Sequence, residues 1–225
     1  MASRGNKPYL RGEPVRLRCV GLCTSSKSIT FKKVDGDIKP DKTKVTTLAA
    51  LWDGAKVYIS PQNSENSLFE ENVTYFVRNY SINKKYGKEC LTVDHKSTIF
   101  KTAPLAMSEN ERSSAMEVLH PSSIERTGEE HNLFVSGGYV TLRGQVKVIR
   151  MTQSDIGEIP VLDLDLKCGS TVLSITLWRD EALVPMCLED EVILTHLRPS
   201  TSNGLNRLNS SAYTLIKVQE TLCNN

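Results

Sequence analysis

Two stretches of the chain combine lysines with an aromatic ring. In TSSKSITFKKVDGDIKPDKTK (24–44), Lys27, Lys32, Lys33, Lys39, Lys42 and Lys44 surround Phe31; in NKKYGK (83–88), Lys84, Lys85 and Lys88 surround Tyr86. Ammonium groups neutralise phosphates and an aromatic ring gives a base a plane to stack on, so this pairing suits a nucleic-acid strand. Further candidates are Lys56 with Tyr58, and Trp178 at the end of VLSITLW (172–178), with Arg198 and Arg207 to offset nearby carboxylates. Catalytic chemistry is not expected. There is no Walker loop, HExxH motif, paired-carboxylate motif or Ser/His/Asp grouping, and Gly137-Gly138 precede a strand rather than a helix. Six cysteines without a CxxC pair and four scattered histidines predict reduced, mostly buried thiols, with no metal and no cofactor.

Charge is divided unevenly. Residues 1–105 hold 18 Lys and Arg against 10 Asp and Glu, a net of +8; residues 106–136 come to −4 and residues 137–225 to −2. The first part therefore has the electrostatics of a polyanion binder. No stretch approaches the roughly 18 apolar residues that span a membrane, so no membrane partner is expected. The start, MASRGNKPYLRGEP, has no apolar signal core, and export is not expected.

The elements that must position these residues come in two sets. Strand patterns run over 15–23, 45–52, 55–60, 73–82 and 89–99, and again over 139–150, 161–166, 172–178, 192–198 and 212–219. The segment after the third strand recurs as Leu68–Val73 and Leu188–Val192, where a short helix or turn would close a small barrel. Ser108 and Glu111 predict a capping box for a helix over 108–119, ended by Pro121, and SSIERTGEEHN after it has a linker's composition. Five short strands with a helix or turn after the third is the order of an oligonucleotide-binding (OB) fold. The expected architecture is all-β: two tandem five-stranded OB barrels, 1–105 and 137–225, joined by a short helix and polar linker over 106–136.

Alternation sorts the faces. In the second unit Leu173, Ile175 and Leu177 share one side of the third strand, leaving Ser174, Thr176 and Trp178 on the polar side. Asp163 and Asp165 fall on the polar side of the second strand, where they would repel phosphate. In the first unit a two-residue turn at Asp53-Gly54 predicts Leu48, Ala50, Trp52, Val57 and Ile59 on an apolar face and Lys56, Tyr58 and Ser60 opposite. Trp52 is then core, while Lys56 and Tyr58 are binding candidates.

With its LDLDLKCGSTVLSITLWRDEA segment, and TLAALWDGAKVYISP followed by SLFEENVTYFVRNYSI and KKYGKECLTV, the chain resembles the tandem DNA-binding OB domains of the replication protein A large subunit. The resemblance covers nearly the whole chain at low identity. It implies single-stranded DNA binding without catalysis, with the tryptophan at position 178 stacking on DNA. The family's aromatic residue after the strand-four to strand-five hairpin has no counterpart near Cys90-Leu91.

The function expected on this basis is binding of single-stranded DNA, with little sequence preference, in replication, repair or recombination in the nucleus. Binding is expected through the first unit's basic groove and partly through Trp178, with the second unit the weaker binder. Single-stranded RNA is an alternative ligand, since lysines and aromatic planes do not read the 2′-hydroxyl. The other alternative is an adaptor in a DNA-repair or meiotic complex, holding a protein through the second barrel or the 108–119 helix.

Overall fold

The computed structural model describes residues 13–63, 67–85, 88–135, 137–153, 159–202 and 204–219. These form two compact units, one from the residues up to 26 with 45–120, the other from 27–44 with 121 onward. Each is an OB-like barrel, so the chain is an all-β tandem of them.

The first unit uses β1 (Val15–Val34), β2 (Asp37–Trp52), β3 (Val57–Asn63), β4 (Thr74–Arg78), β5 (Ser81–Lys85), β6 (Lys88–Thr92) and β7 (Thr98–Lys101), although the outer parts of β1 and β2 belong to the second. They hydrogen-bond in the order β5-β6-β3-β2-β1-β4-β7. β3 and β6 run parallel, with Ile59 opposite Cys90. β4 and β5 are halves of one bent strand: β4 pairs with β1 and β5 pairs with β6, which closes the barrel.

The second unit uses β8 (Ser123–Arg126), β9 (Tyr139–Gln153), β10 (Pro160–Cys168), β11 (Thr171–Trp178), a 3-10 turn (Arg179–Leu183), β12 (Glu191–Ser202), β13 (Leu205–Asn209) and β14 (Leu215–Gln219). Their order is β14-β12-β13-β11-β10-β9-β8, and a further β12–β9 pairing closes the barrel. Again one inner pair is parallel, β11 with β13, Ile175 opposite Leu208.

The duplication extends to single hydrogen bonds. Ahead of strand four, Asn72 and Glu189 both take the left-handed conformation (φ 64° and 71°). Their amides donate to Cys19 O and Val146 O, at 2.8 Å in both units. Within strand four, Asn79 and His196 both have φ 54°. A hydroxyl from the turn inside strand five bonds each bend: Ser97 Oγ donates to Asn79 O (2.8 Å), and Ser211 Oγ to His196 O (2.7 Å). The left-handed residues differ in type between the units, and only the serine donors match.

Burial explains the strands' composition. The first barrel encloses Leu17, Cys19, Ala49, Leu51, Tyr58, Tyr75, Val77 and Leu91, with Phe69 closing one end edge-on to Tyr75, ring centroids 5.1 Å apart. In the second, Leu142, Val146, Leu164, Leu166, Ile175, Leu177, Val192 and Leu194 fill the interior, and Ala182 of the 3-10 turn is buried with them. Burial pushes the Cys19 thiol up to about 12, with Glu71 adding to it, and the Cys168 thiol up to about 11. Both are therefore protonated, unreactive core residues.

Several expected boundaries differ. The Asp53-Gly54 turn is wider than two residues: Asp53 Oδ1 accepts from the Ala55 and Lys56 amides (2.8 and 2.7 Å), so Trp52 pairs with Val57 and Ala50 with Ile59. A two-residue shift preserves parity, and the face assignment of these residues survives it. β12 runs on to Ser202 and β13 returns from Leu205, so strand five starts ahead of 212–219. The polar composition of this hairpin hides it. The capping box forms at α1 (Glu109–Met116), with Ser108 N donating to Glu111 Oε2 at 2.7 Å and Glu111 N to Ser108 Oγ at 3.3 Å. The rest of 106–136 is not a free linker: Leu119 packs in the first unit, β8 pairs with β9, and Leu133 is buried in the second core.

A Cβ at Gly144 would fall inside contact distance of the Lys167 carbonyl and 3.0 Å from Cys168 Sγ, whereas one at Gly137 would meet open space. Gly144→Ala is expected to cost about 1–3 kcal/mol, as overpacking does. Gly137→Ala should leave urea denaturation, followed by far-UV circular dichroism, nearly unchanged.

Candidate nucleic-acid interface

OB folds hold oligonucleotides on the outward face of strands two and three, between flanking loops. In the first unit that face carries Leu48, Ala50, Trp52 and Val57, and the chain itself covers it. Leu105, Met107, Ala115, Met116, Val118 and Leu119 pack there against Val20, Ala50 and Trp52. Gly21 permits the close approach: a Cβ on it would lie 2.5 Å from Met116 Sδ. Lys88, expected to meet phosphate, instead donates to Val118 O at 3.0 Å.

The opposite face of β3 points into the barrel, which corrects the expectation for Tyr58. Its ring is buried and its hydroxyl donates to Asp53 Oδ2 at 2.9 Å, where burial, followed by that hydrogen bond and then the Asp53 charge, raises its pKa. Alternation predicted a polar side for β3, but both sides are covered, so a tyrosine fills the interior. Lys56 lies in the β2–β3 loop, exposed, 3.9 Å from Glu89. Lys84 is exposed on β5. Lys85 closes the β5–β6 pairing opposite Lys88, and Tyr86 lies outside the described residues.

The equivalent face of the second unit carries polar side chains, with Ser174 exposed and Asp163 and Asp165 part-exposed. Trp178 ends β11 at its rim, 40% exposed, with its amide donating to Ser210 Oγ at 2.9 Å. Beside it Thr176 donates to Asp163 (2.6 Å) and Ser174 to Asp165 (2.9 Å). Arg207 Nη1 lies 3.4 Å from Asp163, and Arg150 Nη2 3.8 Å from Asp165. The two carboxylates are thus engaged by hydroxyls and guanidiniums, which weakens the repulsion of phosphate that sequence position alone implied. Arg198 is exposed on β12, opposite Asn209 of β13.

The basic hairpin of residues 27–44 belongs to this unit and not to the first groove. It is tied to the residues that directly follow Trp178. The Ser28 amide donates to Asp180 Oδ2 (2.9 Å), Arg179 donates to Ser28 O (3.2 Å), and Lys27 pairs with Glu181. Lys33, Lys39, Lys42 and Lys44 are exposed along it; Lys32 is exposed and 3.1 Å from Asp41, and Phe31 is buried rather than presented as a stacking plane. One signal for this attachment is legible in the residues alone, the acidic pair Asp180-Glu181 beside a tryptophan, but it reads equally as a solvated turn.

In the plain terms of its topology the chain is a tandem OB-like protein. No family model and no curated protein matches it. Among solved structures it is similar to the p202 HIN1 domain in complex with a 12-mer double-stranded DNA, at TM-score 0.44 and 15% identity over 96% of this chain and 98% of that one. It is also similar to a murine DNA-binding protein bound to double-stranded DNA, at TM-score 0.42 and 11% identity over 92% and 98%. A replication protein A heterotrimer bound to single-stranded DNA gives TM-score 0.37 and 11% identity over 99% of this chain and 52% of that one. Values this low transfer no ligand and do not single out replication protein A.

The two tryptophans provide a direct check on the faces. Acrylamide is expected to quench one component of the fluorescence strongly, lost in Trp178→Phe, and to spare a second, lost in Trp52→Phe, which is only 6% exposed. The Asp53 cluster gives a pH prediction. Burial opposes its charge, but the Lys56 and Ala55 amides and the Tyr58 hydroxyl outweigh that and hold its carboxyl below the usual range. Its contribution to stability is therefore complete above the unfolded value of about 3.9 and fades as pH falls through the lower folded one. In acid titrations followed by thermal melting, Asp53→Asn should remove that part of the acid-induced loss.

Proposed function

We propose that the chain binds single-stranded DNA through its second unit, on the surface made by Trp178, Arg198, Arg207 and the lysines of residues 27–44. The observation that carries this reading is the attachment of the basic hairpin at Ser28 to Arg179 and Asp180, which ties the lysine-bearing segment to the two residues that follow a half-exposed indole. Lysines capture the backbone and Trp178 stacks a base, so sequence preference is small. The role is that of a non-catalytic nuclear protein of replication, repair or recombination. The assignment of strongest binding moves from the first unit to the second, because the first unit's β2–β3 face is occupied by residues 105–119.

The test for this reading is a fluorescence-anisotropy titration with labelled oligo-dT, its RNA equivalent and a duplex, at two salt concentrations. Affinity for oligo-dT should fall steeply with salt, and Trp178→Ala should weaken it by about 1–3 kcal/mol with little change in melting temperature. Glu at Lys33, Lys42 and Lys44 together should flatten the salt dependence. Preference for the duplex, or a Trp178→Ala protein that binds like the wild type, would defeat this reading.

A further inference from the structure

Away from the covered face, the first unit exposes a row of side chains across three adjacent strands. Arg16 of β1 lies opposite Phe76 of β4, and Phe76 opposite Phe100 of β7, the outermost strand of the sheet. The two phenyl rings stand 5.3 Å apart at 31°, and the Arg78 guanidinium sits 5.1 Å over Phe76. Phe100 is 47% exposed. Thr98, opposite Arg78, extends the row. The core does not need these rings, since Tyr75 and Val77 on either side of Phe76 fill the barrel.

The charge here is of one sign. Among the described residues neither Arg16 nor Arg78 is paired with a carboxylate. Arg16 Nη2 donates to Ala103 O at 2.8 Å, which orients the group without cancelling its charge. An aromatic pair with Phe100 exposed and Phe76 half-buried, flanked by guanidiniums without a carboxylate partner among the described residues, fits a ligand that is both planar and anionic. A protein partner would have to bring carboxylates to both guanidiniums and apolar surface to the rings, whereas a single nucleotide unit supplies an anion and a plane together.

We propose that this β1–β4–β7 surface is a second strand-binding site, stacking unpaired bases on Phe76 and Phe100 and holding phosphates with Arg16 and Arg78. It rests on the reading of the chain as a single-strand binder but uses a different unit and different residues. It gives the first unit a way to engage a strand while its β2–β3 face stays covered.

The test uses the full chain and a fluorescein-labelled oligo-dT of about 30 nucleotides, long enough for several stacking and phosphate contacts. Phe100→Ala and Arg78→Glu, both at exposed positions, should each weaken binding about tenfold, in the wild-type background and again in Trp178→Ala. Phe100→Tyr, which keeps the stacking plane, should bind as the wild type does, and cross-linking with iodouracil-substituted oligomer should label the peptide holding Phe76 or Phe100. If Trp178→Ala weakens binding while Phe100→Ala and Arg78→Glu do not, the second site is overturned and the first stands. The converse pattern removes the second-unit site and keeps this one. A wild-type chain without affinity for oligo-dT overturns both. Self-association in sedimentation that disappears in Phe100→Ala, with oligomer affinity unchanged, assigns the patch to a protein contact and overturns the proposal.

Discussion

Each barrel closes only because its fourth strand serves two neighbours, and a strand cannot do that without bending. The bend falls on one residue in the left-handed conformation, Asn79 in the first unit and His196 in the second. A side chain with a Cβ is strained there. The hydroxyls of Ser97 and Ser211 bond the carbonyl of each bent residue and hold it. Strand five then lies parallel to strand three in both units, and the outward face of strands two and three acquires its floor.

From that shared frame the units diverge through what covers the face. The first places small and apolar side chains there and lays residues 105–119 over them. The second places Asp163, Asp165, Ser174 and Thr176 there, a set that satisfies itself by hydrogen bonds and ion pairs and can stay in water. Chemistry on β2–β3 and on β10–β11 therefore decides which barrel keeps an open surface. Net charge gave the first barrel too much weight, because residues 27–44, with six lysines against three aspartates, are joined in sequence to the first barrel and belong in space to the second.

The sequence carried what depends on local rules. The repeated strand order, the capping box at Ser108 and Glu111, and the outward direction of Trp178 all follow from periodicity and turn chemistry. Alternation failed at Tyr58 because it separates two sides of a strand without saying which is interior, and both sides of β3 are covered. The partners of Lys88 and Ser28, at Val118 and Asp180, depend on contacts distant in the chain. Phe76 and Phe100 read as ordinary strand residues, since periodicity does not tell whether the outer face of β4 and β7 is covered by another part of the chain.

The approach of Met116 to Gly21 has an evolutionary consequence. Any side chain at position 21 would occupy the space now filled by the Met116 thioether, so the covering segment and β1 constrain each other across a long stretch of sequence. A methyl at position 21 is accommodated by rotation of the flexible Met116 end, whereas a larger side chain favours a smaller residue at 116. Among descendants of this chain, the pair should therefore drift together, with bulk at position 21 matched by a shorter residue at 116.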